Sequence, residues 1–266
     1  MSLRERYAEA WARRRGLGPG WLVNLEPTYN LDLGAVGVVS GLDFQPETTL
    51  ALRGVPALQE DPTQQRADTP WQFQSNDEIA LSVESSGKLS GLGGAIGAAG
   101  WDVTVSFGRQ AGASLYGKAM WWRGYADVGV VRAAVVAAAR DGQLHKGESI
   151  VIAQQLTGAG VLFTAEGSNA TLRARASADV SPTAVPEIAS LAGKLSVVQS
   201  SAGAQLQAFA DGAVLAGRIL YLGYRGWFWW RQFEAYGAFD VDPDQVEETI
   251  LRPVEGDGAD EYFALV

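Results

Sequence analysis

The chain has 266 residues, of which 47% are hydrophobic and 19% charged, with no cysteine and a single histidine, His145. This length suffices for one large domain or two small ones with a proper core. The lack of cysteine excludes disulfides, thiolate metal sites and a cysteine nucleophile. His145 lies in a predicted surface loop, where a solvated side chain is the simpler interpretation than a catalyst.

The negative charge is concentrated at the C-terminal end. From Asp240 onward there are nine acidic residues and one basic residue, Arg252, so this segment carries −8 of the net charge of −9. The rest is close to neutral and has no basic stripe, which argues against nucleic-acid binding. No stretch of 18 uncharged apolar residues predicts a membrane helix, and no secretory signal is visible. The sequence does not exclude membrane-spanning β-hairpins, because each strand needs only about ten alternating residues.

A basic helix is predicted over residues 2–15. Ser2 and Glu5 have the spacing of a capping box at its start. Its narrow apolar stripe consists of Leu3, Tyr7, Ala10 and Trp11. We interpret it as a terminal helix packed on the body, with a membrane-surface helix as the alternative.

The remaining elements alternate short strands with two helices. Strands are predicted over residues 21–25, 33–39, 113–122, 148–156 and 161–165, helices over 125–140 and 186–192, and a hairpin over 195–200 and 204–210 that turns at 201–203. A long polar connection spans residues 59–68. This order predicts an α+β fold with a twisted, mostly antiparallel sheet and surrounding helices.

The stretch over residues 78–120 is the centre of the interpretation, because it predicts a hairpin with two different faces. The apolar face of this first hairpin consists of Ile79, Leu81, Val83, Trp101, Val103, Val105 and Phe107. Asp102, Thr104 and Ser106 alternate with them on the polar face. The connection over residues 87–100 is too rich in glycine for a strong helix and too apolar for a fully solvated loop.

A second two-faced hairpin of the same kind is predicted within residues 149–178. Leu172, Ala174 and Ala176 form its apolar face, and Thr171, Arg173 and Arg175 its polar face. The sequence therefore contains two separate β regions that could face protein on one side and water on the other.

Aromatic side chains crowd residues 221–239, including Trp227, Trp229 and Trp230 with Arg225 and Arg231 between and beside them. Buried sheet packing, a belt at a membrane–water interface and a stacking site for a sugar or base are the three interpretations.

No motif predicts catalysis or a metal site. The glycine-rich run over residues 91–97 has neither dinucleotide nor P-loop spacing. The acidic run from Asp240 to Asp244 fails as a calcium loop, because Gln245 and Leu251 occupy the positions of its glycine and its bidentate acid. We expect no cofactor and no enzymatic activity. A hydrolase that uses Asp and Ser residues is a further hypothesis, supported only by the abundance of those residues.

The order of elements resembles the pore-forming domain of the gasdermins and, by length, the bacterial ones. The resemblance covers residues 17–220: a strand at Pro19–Val23, the first two-faced hairpin, a helix, the second two-faced hairpin, and a short helix with a closing hairpin. It rests on element order and alternation.

The resemblance implies an autoinhibited pore former. Residues 1–239 would be the pore-forming domain, and 240–266 an inhibitory peptide docked by Tyr262, Phe263, Leu265 and Val266. A protease would cut between about residues 240 and 256. Both hairpins would then enter the inner membrane, and cytoplasmic monomers would assemble into a large pore that kills the infected cell in anti-phage defence.

One feature departs from that family. Bacterial gasdermins often carry an acylated cysteine near the N-terminus, and this chain has none. Membrane engagement would then use the arginine-rich helix or the tryptophan cluster. The alternative is a soluble, non-enzymatic binding or scaffolding protein whose surface for a partner or ligand is residues 221–239.

Overall fold

The computed structural model describes residues 2–17, 20–25, 27, 31–63, 66–85, 101–176, 188–189, 191, 193–225 and 232–237. Within these residues there are two α-helices and fifteen strands. In chain order they are α1 (Leu3–Arg15), β1 (Trp21–Val23), β2 (Ala35–Ser40), β3 (Asp43–Thr49), β4 (Trp71–Gln74), β5 (Ala80–Ser85), β6 (Trp101–Ser106), β7 (Gly112–Gly117), β8 (Met120–Gly124), α2 (Val128–Arg140), β9 (Ser149–Thr157), β10 (Gly160–Ala165), β11 (Thr171–Ala176), β12 (Leu195–Ser200), β13 (Gln205–Phe209), β14 (Ala213–Arg225) and β15 (Gln232–Gly237).

The largest sheet, the main sheet, has seven strands. Its path is β1-β14-β9-β2-β3, with β15 paired to β14 and β8 paired to β9. All its pairs are antiparallel. Helix α2 packs Val131 and Val135 against Ile150 and Ile152 of β9 on one face. That helix forms because its valines and alanines recur at helical spacing after the Asp127 N-cap.

The other eight strands form two four-stranded sheets with matching strand orders. The inner sheet has the order β13-β10-β7-β4, and the hairpin sheet has the order β12-β11-β6-β5. Each inner strand continues along the chain into the strand at the same place in the hairpin sheet. The four connections, which we call the bend line, are residues 75–79, 107–111, 166–170 and 201–204. The two sheets are therefore one four-stranded ribbon, interrupted once in every strand.

Helix α1 packs against the inner sheet. The Ser2–Glu5 capping box that the sequence predicts is present, and the helix ends at Gly16 in the left-handed conformation. Tyr7 and Trp11 are fully buried, and both rings contact Phe73 of β4. The packed-helix interpretation is thus confirmed. Neither of the described helices is long and apolar enough to cross a membrane.

The predicted α+β class with mostly antiparallel sheets is confirmed. Three details were wrong. The second helix begins at Val128 rather than at residue 125, because the Asp127 carboxylate caps the amides of Gly129 and Val130. The single strand predicted over residues 113–122 is two strands in different sheets, β7 and β8.

The third correction concerns the predicted hairpin of residues 195–200 and 204–210. Both strands exist, as β12 and β13, but they do not pair with each other. β12 pairs with β11 in the hairpin sheet, and β13 pairs with β10 in the inner sheet. Residues 201–204 are a bend between two sheets and not the turn of a hairpin.

Four described strands, β3, β4, β14 and β15, were not identified from the sequence. β3 contains Pro46 and many polar residues, and it lies at the edge of the main sheet, where proline is tolerated. β4 is only four residues long. β14 and β15 overlap the predicted aromatic segment, which was not divided into strands.

Several predicted features lie outside the described residues: the connection 87–100 with its glycine-rich run, the three tryptophans Trp227, Trp229 and Trp230, and the acidic segment 240–266 with Tyr262, Phe263, Leu265 and Val266. In the predicted short helix over residues 186–192, Ile188, Ala189 and Leu191 are described, and they have 3₁₀ conformation.

Candidate functional site

The first predicted hairpin lies in the hairpin sheet as β5–β6. The second, predicted within residues 149–178, was wrong in its pairing, because β10 belongs to the inner sheet and β11 pairs with β12 instead. β5 pairs with β6 and β11 with β12, and the central pair β6–β11 joins the hairpins. Across that pair, Ala174 is opposite Val103 and Leu172 is opposite Val105. Because paired residues point to the same side of a sheet, the two apolar faces are one continuous surface.

This apolar surface is buried in the protein. Most predicted apolar-face residues are at most 6% exposed: Ile79, Val103, Val105, Phe107, Leu172, Ala174 and Ala176. Their core also contains Ile188, Ala189 and Leu191, which belong to the segment between β11 and β12. Leu81, Val83 and Trp101 are only half-buried but pack on the same core. The apolar residues of both regions thus form one buried surface, covered in part by the connection between β11 and β12.

The opposite surface is polar and faces solvent. Thr171, Arg173 and Arg175 are exposed, as are Ser82 and Glu84. The hairpin sheet therefore has one face suited to an apolar environment and one suited to water, which is the property that the alternation predicted.

Asp102 is the exception on the polar surface, because its side chain is only 9% exposed. Arg175 Nε lies 2.8 Å from its Oδ1, and an Arg173 Nη lies 2.7 Å from its Oδ2. The hydrogen bonds from Arg175 and Arg173 lower the pKa of Asp102 from 3.8 to about 2. The carboxylate is therefore ionised at neutral pH, and it ties β6 of the first hairpin to β11 of the second.

Sequence reasoning placed Asp102, Arg173 and Arg175 on polar faces but did not bring them together. These residues are about seventy positions apart in the chain. Their alternation within each strand was visible, but the pairing of β6 with β11 was not. The signal that could have suggested it is an acid on one two-faced strand and two arginines on another.

The bend line is held together by hydrogen bonds from strand to strand. Phe107 donates its amide to Ala170 over 2.8 Å, and Asn169 donates to Gly108 over 2.6 Å. The Arg109 amide donates to the Glu78 carboxylate over 2.7 Å. Gly167 donates to Ala202 over 3.1 Å, so the four bends are joined from strand to strand across the ribbon.

Backbone strain is concentrated in the same place. Among the described residues, the non-glycine residues with positive φ are Asn169, at 55°, and Ala202, at 50°. Both lie in bends, one in 166–170 and the other in 201–204. Left-handed conformations are unfavourable for alanine and tolerated by asparagine. The ribbon is thus bent at positions that include backbone dihedral angles rarely adopted by residues other than glycine.

The hairpin sheet ends in two edge strands, β5 and β12. On β12, Val197 is 48% and Val198 54% exposed. The register of β12 with β11 shifts between Arg173 and Ala174, so that Val198 of β12 is the extra residue of a β-bulge. An exposed edge with apolar side chains is a template for adding another strand.

The described residues contain no cluster of His, Asp or Glu that could hold a metal ion. Two open clefts, of about 500 and 360 Å³, lie between helix α1 and the bend line. Their lining combines Arg6 of the helix with Gln110 and Ala111 of the bend. The hairpin sheet presents one apolar face and one polar face.

The chain was compared with known proteins. No family model matches the sequence, and a comparison with curated proteins returns no match. Among solved structures, the chain is similar to the cryo-EM structure of the Gasdermin A3 membrane pore, with 12% sequence identity and a TM-score of 0.37 over 89% of this chain and 95% of that one.

Proposed function

We propose that this chain is a pore-forming protein that acts without enzymatic chemistry, by placing the hairpins β5–β6 and β11–β12 in a membrane as part of an oligomer. One observation carries the proposal. Two hairpins far apart in the sequence form a single four-stranded sheet with one continuous apolar face and one polar face.

The physical reason is an exchange of surroundings. Val103, Val105 and Leu172 now pack against protein. In a bilayer the same side chains would pack against lipid at similar cost, provided that every backbone N–H and C=O is paired. In a closed barrel of such four-stranded units, each copy needs three pairings within itself and one with its neighbour. The three internal pairings already exist as β5–β6, β6–β11 and β11–β12.

The remaining pairing would come from a second copy. Since each neighbouring pair in the hairpin sheet is antiparallel, β5 and β12 run in opposite directions. The β12 edge of one copy therefore fits the β5 edge of the next without breaking the antiparallel pattern. The exposed Val197 and Val198 lie at that edge. Head-to-tail contacts of this kind close into a ring when the rotation from copy to copy completes a full turn.

The acidic segment 240–266 supplies the restraint in this proposal. It carries −8 of the net charge of −9. Its removal by a protease would leave a nearly neutral body and remove the repulsion from anionic lipid. The inactive protein would be a cytoplasmic monomer, and the cut protein an oligomer in the inner membrane. The cell death and anti-phage defence implied by the gasdermin resemblance belong to the same proposal.

The direct test is release of a trapped dye from vesicles. A full-length chain is made with a site for a sequence-specific protease inserted between residues 240 and 256, and it is added to vesicles of phosphatidylglycerol and phosphatidylethanolamine. We expect release only after cutting, and weaker release from phosphatidylcholine vesicles. No release from cut protein at any insertion position would contradict the proposal and favour the soluble binding protein.

A matched pair of variants tests which face meets lipid. Val83 and Ser82 are neighbours on β5 and point to opposite faces. A lysine on a lipid-facing strand position costs about 2–4 kcal/mol at the middle of a bilayer. We expect Val83→Lys to reduce dye release at least about tenfold, and Ser82→Lys to retain it. Equal effects of the two variants would reject the assigned faces. Thermal unfolding of both proteins before cutting controls for misfolding.

A further inference from the structure

Helix α1 contacts the main and inner sheets on one side and the bend line on the other, and the two sets of contacts differ in kind. α1 is anchored firmly in the body. Tyr7 and Trp11 are fully buried, and the Trp11 indole N–H donates to the buried Gln155 of β9 over 3.0 Å. Arg4 forms an ion pair with Asp43 of β3. The helix therefore links the main sheet to the inner sheet and has little freedom to move relative to either.

Toward the bend line the same helix makes a different kind of contact. An Arg14 Nη lies 2.8 Å from an Asp77 carboxylate oxygen, in the bend between β4 and β5. An Arg6 Nη donates to Gln110 over 3.2 Å, in the bend between β6 and β7. Both contacts are exposed. Arg6 and Gln110 both line the two clefts between the helix and the bends, and the larger cleft extends to Glu166 and Ser168 of a third bend.

We propose that α1 is a brace that holds the hairpin sheet at its present angle to the body. The helix is the fixed part, the bend line is the hinge, and Arg14 and Arg6 are the side chains that restrain it. Swinging of the hairpin sheet about the bend line would break these contacts while leaving Tyr7 and Trp11 in place. The inference rests on the proposed function in one respect: insertion in a membrane is the event that would require this swing.

The geometry of the bend line supports a hinge at this position. All strands of the ribbon are interrupted at the same level, so a rotation there needs no sliding of one strand past another. Ala202, whose positive φ is unfavourable for alanine, lies in the bend over residues 201–204. The clefts between α1 and the bends leave room for movement.

Covalent cross-links test the brace, because the chain has no cysteine of its own. The test pair is Arg14→Cys with Asp77→Cys, joined by a short bismaleimide that replaces the ion pair across the gap. The matched control is Arg4→Cys with Asp43→Cys, which ties the same helix to β3 and does not touch the bend line. Both are built into the full-length chain that carries the protease site.

The first readout is hydrogen exchange in the uncut protein. It follows the amides of Phe107, Arg109 and Asn169, which bond across the bends. We expect the 14–77 cross-link to slow their exchange at least fivefold and the 4–43 cross-link to leave it unchanged. In the protein without cross-links, Arg14→Gln should speed exchange there by about two- to fivefold, as expected for an exposed ion pair. Unchanged exchange in the 14–77 protein would overturn the brace.

The second readout is dye release after cutting. We expect the 14–77 cross-link to reduce release at least tenfold and the 4–43 cross-link to permit it. Equal release from both would also overturn the brace, while leaving the pore proposal intact. If the protein without cross-links releases no dye, the pore proposal fails, and the exchange measurement still decides whether α1 restrains the bends.

Discussion

Asp102 and Arg175 face each other across the pairing of β6 with β11, where Arg175 Nε lies 2.8 Å from Asp102 Oδ1. This contact joins two hairpins that are separate in the sequence. Arg173, two positions away on the same face, holds the other carboxylate oxygen. The carboxylate is nearly buried while both arginines are about half exposed. The polar face of the hairpin sheet thus has a charged seam along its centre.

Asp102→Asn is expected to destabilise the protein by about 1–2 kcal/mol. The variant keeps the shape of the side chain but removes the charge that both guanidinium groups bind, and solvent at the arginines limits the loss. Urea denaturation measures it. Glu84→Gln is the matched control, because Glu84 is opposite Asp102 on β5 and exposed. We expect it to change stability by less than about 0.5 kcal/mol. A larger effect at Glu84 than at Asp102 would contradict the assigned seam.

The same carboxylate predicts a pH dependence at low pH. Folding lowers the pKa of Asp102 from 3.8 to about 2, so its contribution to stability is fully present above pH 4. It is lost as the pH falls toward 2, because the unfolded state then binds a proton that the folded state still excludes. We expect the stability difference between wild type and Asp102→Asn to shrink between pH 4 and pH 2. A constant difference over that range, measured by urea denaturation at each pH, would argue against the ion pair.

We expect opposite effects on stability from Tyr7→Phe and Trp11→Phe, each of which removes a polar group from helix α1. The Tyr7 hydroxyl is buried without a hydrogen-bond partner among the described residues, and burial raises its pKa. Tyr7→Phe should therefore stabilise the protein by about 1 kcal/mol. Trp11→Phe should destabilise it by about 2–3 kcal/mol, because the buried Gln155 oxygen loses its donor and a cavity forms. Thermal unfolding of both variants checks this, and a stable Trp11→Phe would weaken the anchoring role of the helix.

Leu172→Ala tests the apolar face of the hairpin sheet. Leu172 is fully buried in the core that also contains Ile188 and Leu191. We expect a loss of about 2–5 kcal/mol in the free energy of unfolding. Val198→Ala on β12 is the control, because Val198 is 54% exposed, and its loss should stay within about 0.5 kcal/mol. Similar small losses for both would mean that the face is loosely packed.

The sequence by itself determined the local features of this protein. The period of two assigned the faces of β6 and β11, and the spacing of Ser2 and Glu5 identified the start of α1. These features follow from neighbouring residues, because backbone geometry alone decides which side chains share a face. They were sufficient to identify the hairpins as two-faced before any pairing was known.

Only the tertiary structure decided which strands pair. It separated β12 from β13 and brought Asp102 to Arg173 and Arg175 across about seventy residues. It also placed α1 beside the bend line, through Arg14 and Asp77. Pairing over such distances depends on the balance between loop entropy and the burial of whole faces, which no single segment encodes. The two faces of each strand in the candidate site are therefore determined by neighbouring residues. The pairing of those strands depends on residues far apart in the sequence.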